Sequence, residues 1–116
     1  MEVYLLKKIL LVDDNFEFLQ LLVRLLEHRF DIITASGVID AQKILQENKV
    51  DIICSDFYMN DGTALDLFFS IKRRYLDTPF IILSGSDLTQ KFAMSDKNLF
   101  CWDKTDGDLL NKFKAL

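Results

Sequence analysis

Cysteine and histidine are nearly missing from this chain. Cys54, Cys101 and His28 are the only ones among 116 residues, too few for a thiolate or imidazole zinc site. Both cysteines lie inside apolar, strand-like runs. The expected state is therefore a pair of buried free thiols in a reducing cytoplasm, not a disulfide. Positive charge is also short. The net charge of −4 leaves no basic footprint for nucleic acid. No apolar stretch approaches the roughly 18 uninterrupted residues of a membrane span. The opening segment, Met1-Glu2-Val3-Tyr4-Leu5-Leu6-Lys7-Lys8, places its basic residues after its apolar ones, the reverse of a secretory leader. There is no internal repeat, low-complexity tract or linker. What remains is an ordinary globular mixture, 50% apolar and 28% charged, sized for one domain over residues 1–116 with a single core.

What is present is a series of short apolar runs. Lys7–Val12, Phe30–Thr34, Val50–Ser55, Phe80–Leu83 and Leu99–Trp102 read as strands buried on both faces, as in a parallel sheet. Between and after them, helical spacing is expected over Asn15–Arg29, Val38–Glu47, Ala64 to about Tyr75, Asp87–Lys97 and Thr105–Leu116. In the first helix, Phe18, Leu21, Leu22 and Leu25 form the expected inward stripe; Phe16, Leu19, Val23 and Leu26 are surplus to it. Asn60-Asp61-Gly62 is a turn signal, and Thr63 is a candidate helix cap. Strands alternating with helices give a parallel sheet with helices on both faces. Right-handed crossovers then bring the carboxyl ends of all strands to one edge.

Chemistry-bearing residues gather at that edge. Asp13 and Asp14 follow the first strand, Asp56 the third, Ser84 the fourth and Lys104 the fifth. Singly, each has an ordinary explanation: a helix cap, a turn residue, a solvated charge. Together they point to phosphoryl chemistry. Crowded carboxylates repel, raising at least one pKa, and a hard divalent cation such as Mg²⁺ relieves this through oxygen ligands. A lysine ammonium and Mg²⁺ neutralise an incoming phosphoryl group, a hydroxyl hydrogen-bonds its oxygens, and a carboxylate can act as nucleophile.

The segments Leu10-Leu11-Val12-Asp13-Asp14, Asp51-Ile52-Ile53-Cys54-Ser55-Asp56-Phe57-Tyr58-Met59, Pro79-Phe80-Ile81-Ile82-Leu83-Ser84 and Asp103-Lys104 resemble the receiver domain of two-component response regulators. The resemblance covers essentially the whole chain. It implies a flavodoxin-like α/β fold, a five-stranded parallel sheet in the order 2-1-3-4-5 with helices on both faces. It implies that Asp56 is the phosphoacceptor, that Asp14 binds Mg²⁺ directly and Asp13 mainly through water, and that the Tyr58 backbone carbonyl is a further metal ligand. Ser84 and Lys104 would hold the phosphoryl oxygens. The implied partners are a sensor histidine kinase or phosphotransfer protein and an unknown downstream protein, with no membrane or nucleic acid contact. The surplus apolar residues of the first helix are then either a broad core-facing surface or a docking surface for the phosphoryl donor.

The departures from the family pattern cluster. Asn60 stands where the family has Pro, Ala64 where it has Gly, Cys101 where it has an aromatic, and Thr105 where it has a second Pro. The segment from Ser84 to Lys104 is slightly short. The chemistry is expected to be intact and the conventional readout altered. A chain ending at Leu116 would act through a protein partner, catalysing only its own phosphorylation and dephosphorylation. Two alternatives stay open: a receiver fold used as a phosphorylation-independent interaction module, and an aspartate-nucleophile phosphatase of the haloacid-dehalogenase class. The latter needs a carboxylic acid two residues beyond its nucleophile, where this chain has Tyr58.

Overall fold

A computed structural model describes residues 5–85 and 96–116. In order they form β1 (Lys7–Val12), α1 (Phe16–Leu26), β2 (Phe30–Ala35), α2 (Val38–Glu47) and β3 (Ile52–Asp56). A small hairpin of β4 (Tyr58–Met59) and β5 (Gly62–Thr63) follows. Then come α3 (Ala64–Ile71), β6 (Phe80–Ser84), β7 (Leu99–Asp103) and α4 (Leu109–Lys114). Of the helix expected over Asp87–Lys97, residues 87–95 lie outside the described residues.

Five strands form one parallel sheet in the order β2-β1-β3-β6-β7, and β4 and β5 pair only with each other. With the hairpin set aside, this is the expected order 2-1-3-4-5. The pairing register places Val12 between Ala35 and Ser55, Asp56 beside Leu83, and Ser84 beside Asp103. All five strands therefore end at one edge.

Side chains alternate across each strand, which splits the core in two. Leu10, Val12, Ile53, Phe80 and Ile82 face α2 and α3, meeting Ala41, Leu45, Leu67, Phe68 and Ile71. Ile9, Leu11, Ile52, Ile81 and Leu83 face α1 and α4, meeting Leu19, Leu22, Leu26 and Phe113. Each fully buried side chain of this size contributes about 1.5–3 kcal/mol. Cys101 packs on the first side and Trp102 on the second, as alternation requires. Cys54 is a buried free thiol, and Cys101 is free and half-buried. No helix among the described residues is long and apolar enough to cross a membrane.

The local signals that start the helices are legible. Asn15 caps α1, its side-chain oxygen accepting from the Phe18 amide at 3.1 Å. Thr63 and Asp66 form a reciprocal capping box at α3.

The phase of α1 differs from the expected stripe. Leu19, Leu22 and Leu26 are buried, Phe18 and Val23 are half-buried, and Leu21 and Leu25 face solvent. The helix carries apolar residues on more than one face, so periodicity alone could not fix its rotation; the seat on the sheet does. The alternative docking surface made of Phe16, Leu19, Val23 and Leu26 is not formed. Only Phe16 of that set is exposed. The last helix is shorter than expected because residues 105–108 form turns, with Asp103 and Asp106 accepting from the amides of Thr105 and Asp108.

Candidate functional site

β1 delivers Asp13 and Asp14 to the carboxyl edge, and β3 delivers Asp56. One carboxylate oxygen from each lies within 4.8 Å of the others. Asp13 is buried, and the other two are partly exposed. Asp13 is fixed twice by backbone: its amide donates to the Ala35 carbonyl, and its Oδ1 accepts from the Asn15 amide at 2.8 Å. Lys104, just past β7, reaches back across the edge. Its Nζ donates to Asp13 Oδ2 at 3.0 Å and lies 3.2 Å from Asp56 Oδ1. The same ammonium sits 4.1 Å from the centre of the Phe18 ring, a cation–π contact that shields it from one side.

The charges are unequal, three carboxylates to one ammonium, and the ionisation reflects it. Burial, then the charge of Asp13, pushes the Asp56 carboxyl above the usual carboxylate range; Lys104 pulls it back only in part. For Lys104, burial opposes the charged form, but the hydrogen bond and charge of Asp13 and the proximity of Asp56 outweigh it and raise the pKa. Cys54, two residues before Asp56 in β3, has its thiol pushed far upward by burial and then by Asp13, which keeps it protonated and unreactive. Hard oxygen donors crowded without enough positive charge suit a divalent cation such as Mg²⁺.

Ser84 ends β6 at the same edge and is buried. Its hydroxyl lies 3.2 Å from the Gly85 carbonyl and 3.5 Å from Cys101 Sγ. The Lys104 amide donates to the Ser84 carbonyl at 2.8 Å, which ties the two residues together through backbone. Tyr58 begins the β4–β5 hairpin, and its side chain is exposed. Thus Asp13, Asp14, Asp56 and Lys104 form one cluster, with Ser84 joined to it through the Lys104 backbone and Tyr58 adjoining it two residues beyond Asp56.

Two residues escaped the sequence reading. Phe18 looked like an ordinary inward residue; only the fold places a ring over Lys104. Asp61 looked like a turn residue. Its carboxylate instead accepts from the amides of Val38 at 2.8 Å and Ile39 at 3.0 Å, and these bonds hold its pKa below the usual range. A hint was available, since the helix at Val38 follows Gly37, which has no side chain to cap it.

A doubly wound sheet that gathers a carboxylate cluster, a lysine and a buried serine at its strand ends defines a receiver-type signalling domain. The chain belongs to the response regulator receiver domain family, whose model matches residues 9–96. The transcriptional regulatory protein GlrR of Escherichia coli K12 is 34% identical over 78 residues, 66% of this chain but 18% of that protein. The chain thus spans a small part of that relative. A response regulator receiver domain from Clostridium thermocellum superposes with a TM-score of 0.81 at 28% identity, covering 95% of this chain and 93% of the other. TrrA of Thermotoga maritima, solved with Mg²⁺ and BeF, matches with a TM-score of 0.77 at 24% identity, over 95% of this chain and 98% of its own. At that identity the likeness concerns the fold.

Proposed function

We propose that this chain is a cytoplasmic phosphoacceptor. Asp56 takes a phosphoryl group from the phosphohistidine of a sensor kinase or phosphotransfer protein, and the phosphorylated form signals through protein contacts. The observation that carries this reading is the bridge of Lys104 between Asp13 and Asp56, beside Asp14, at the end of the sheet. An Asp56 carboxylate oxygen attacks phosphorus in line. The bond from phosphorus to the donor nitrogen breaks, and the electron pair leaves with the imidazole, which takes up a proton. Lys104 moves its contact from the carboxylate to a phosphoryl oxygen. The Ser84 hydroxyl donates a hydrogen bond to another, releasing the Gly85 carbonyl. Asp13, Asp14, Asp56 and the Tyr58 backbone carbonyl would hold Mg²⁺, which when bound would offset the charge of the carboxylates and the phosphoryl group. That TrrA binds Mg²⁺ with a phosphoryl mimic supports this assignment.

A second reading, an interaction module that needs no phosphorylation, draws support from Cys101. Where the family carries an aromatic, this chain has a thiol in contact with Ser84. One experiment separates the two. With Mg²⁺ and acetyl phosphate, intact-mass measurement is expected to show one added phosphoryl group, absent from Asp56→Asn. An unmodified wild-type protein favours the module, and labelling that survives Asp56→Asn removes Asp56 as the acceptor.

A further inference from the structure

α2 begins without a cap of its own. The first amides of a helix have no partner within it, and a Ser, Thr, Asp or Asn normally supplies one. Gly37 stands at that position and offers no side chain. The partner comes from elsewhere in the chain. Asp61, at the tip of the β4–β5 hairpin, sets one carboxylate oxygen on the Val38 amide and the other on the Ile39 amide. These are charge-assisted bonds at the positive end of the helix dipole. Gly37 is shaped to this contact. Its φ of 175° is open to any residue, yet an added Cβ would stand 2.7 Å from Asp61 Oδ1. It is space, not backbone conformation, that glycine supplies here: a side chain would displace the Asp61 carboxylate.

The hairpin that Asp61 tips starts two residues after Asp56, with Phe57 between them. Its base is held by the Phe57 amide on the Leu83 carbonyl at 3.0 Å and the Ala64 amide on the Phe57 carbonyl at 2.8 Å. Its far turn needs Gly62, whose φ of +149° suits glycine and whose missing Cβ would meet Asp66 and Val38. Held at base and tip, residues 57–63 have little freedom, and Tyr58 is among them.

We propose that Asp61 is a positioning residue for the metal and phosphoryl site, a clasp that fixes the Tyr58 carbonyl by fastening the hairpin to α2. This rests on the function proposed above, in which that carbonyl is a metal ligand. Residues that orient metal ligands without touching the metal are worth about 10–100-fold in affinity. The coupling is reciprocal, so bound metal tightens the clasp as much as the clasp favours metal.

Calorimetric Mg²⁺ titration of four single variants and one double variant tests this. Asp61→Ala is expected to weaken binding about tenfold, and Asp61→Asn, which keeps one acceptor, to recover part of the loss. Gly37→Ala pushes the carboxylate aside from the opposite partner and is expected to weaken binding similarly. Its effect vanishes in the Asp61→Ala background, the non-additivity of a shared contact. Tyr75→Phe is the control. It removes the hydroxyl that reaches the Leu45 and Asn48 carbonyls at the far end of α2, so it lowers the melting temperature without moving the Mg²⁺ affinity. Amide exchange at Val38 and Ile39 is expected to slow when Mg²⁺ is added to the wild type, but not to Asp61→Ala. Wild-type affinity in Asp61→Ala or Gly37→Ala, or losses no larger than in Tyr75→Phe, would overturn the clasp alone. A wild-type protein that binds no Mg²⁺ would overturn the metal assignment, and the clasp with it.

Discussion

Asp56 is asked to be ionised where ionisation is unfavourable. Its carboxyl is held above the ordinary range by burial and by Asp13, with Lys104 only partly compensating. A carboxyl whose pKa rises on folding binds its proton more tightly in the native state. Its contribution to stability is complete below the unfolded value of about 4 and is lost as pH climbs through the raised native value. At pH 7 the ionised group is therefore a net cost, which the proposed role of Asp56 as nucleophile accounts for. Asp56→Asn keeps the shape and removes the charge, and Lys104 keeps Asp13 at 3.0 Å. In metal-free buffer this variant is expected to melt a few degrees above wild type at pH 7. The gain shrinks as pH falls through the raised native value toward the unfolded value of about 4. A variant no more stable than wild type at pH 7 shows that the Lys104 pair outweighs the carboxylate repulsion. This site was legible in sequence as residue types at strand ends, carboxylate crowding included; Phe18 over Lys104 was not, because that contact depends on distances across the edge.

Elements were legible in proportion to how far their signals are local. The capping residue Thr63 and the strand runs were placed correctly, because each acts on its neighbours in the chain, whereas the cap of α1 is Asn15 and not the preceding Asp13 or Asp14. The rotation of α1 was not. Its apolar positions include Phe18, Leu19, Leu21, Leu22, Val23, Leu25 and Leu26, and any of several faces could have turned inward. The β4–β5 hairpin was read only as a turn, since its anchor on α2 is remote in sequence. Adjacent leucines check the observed rotation. Leu26 is fully buried among Leu22, Phe30 and Ile81, whereas Leu25 is 45% exposed. Leu26→Ala is expected to destabilise by about 2–5 kcal/mol through lost transfer energy and the cavity left behind. Leu25→Ala is expected to stay within about 0.5 kcal/mol. Urea unfolding of both variants measures this, and equal losses would mean that α1 sits on the sheet in another rotation.

At the scale of the molecule, one sheet joins both core layers and also brings together residues far apart in sequence. The strand order came from the resemblance to the receiver family, whereas alternation and right-handed crossovers brought the carboxyl ends of the strands to one edge, so the meeting of Asp13, Asp14, Asp56 and Lys104 there followed from topology. That meeting exists only in the folded state. Asp13 and Asp14 follow β1 and Asp56 ends β3, with α1, β2 and α2 between them; an unfolded chain holds no such triad. A cation that binds the triad therefore binds the native state alone and stabilises it by mass action, by about 2.7 kcal/mol at a hundredfold excess over its dissociation constant. For a domain near this size that is a rise in melting temperature of roughly 10 °C. The same cation relieves the repulsion that, after burial, lifts the Asp56 pKa, so the rise is expected to be larger at pH 7 than at pH 5, where protons already compete for the oxygens. Asp14→Asn removes a ligand charge without touching Lys104 or either core layer and is expected to abolish most of the response. Thermal melts with and without millimolar Mg²⁺ decide the matter: a wild-type protein whose melting temperature ignores the metal has no such site, and an Asp14→Asn variant that responds like wild type has it elsewhere.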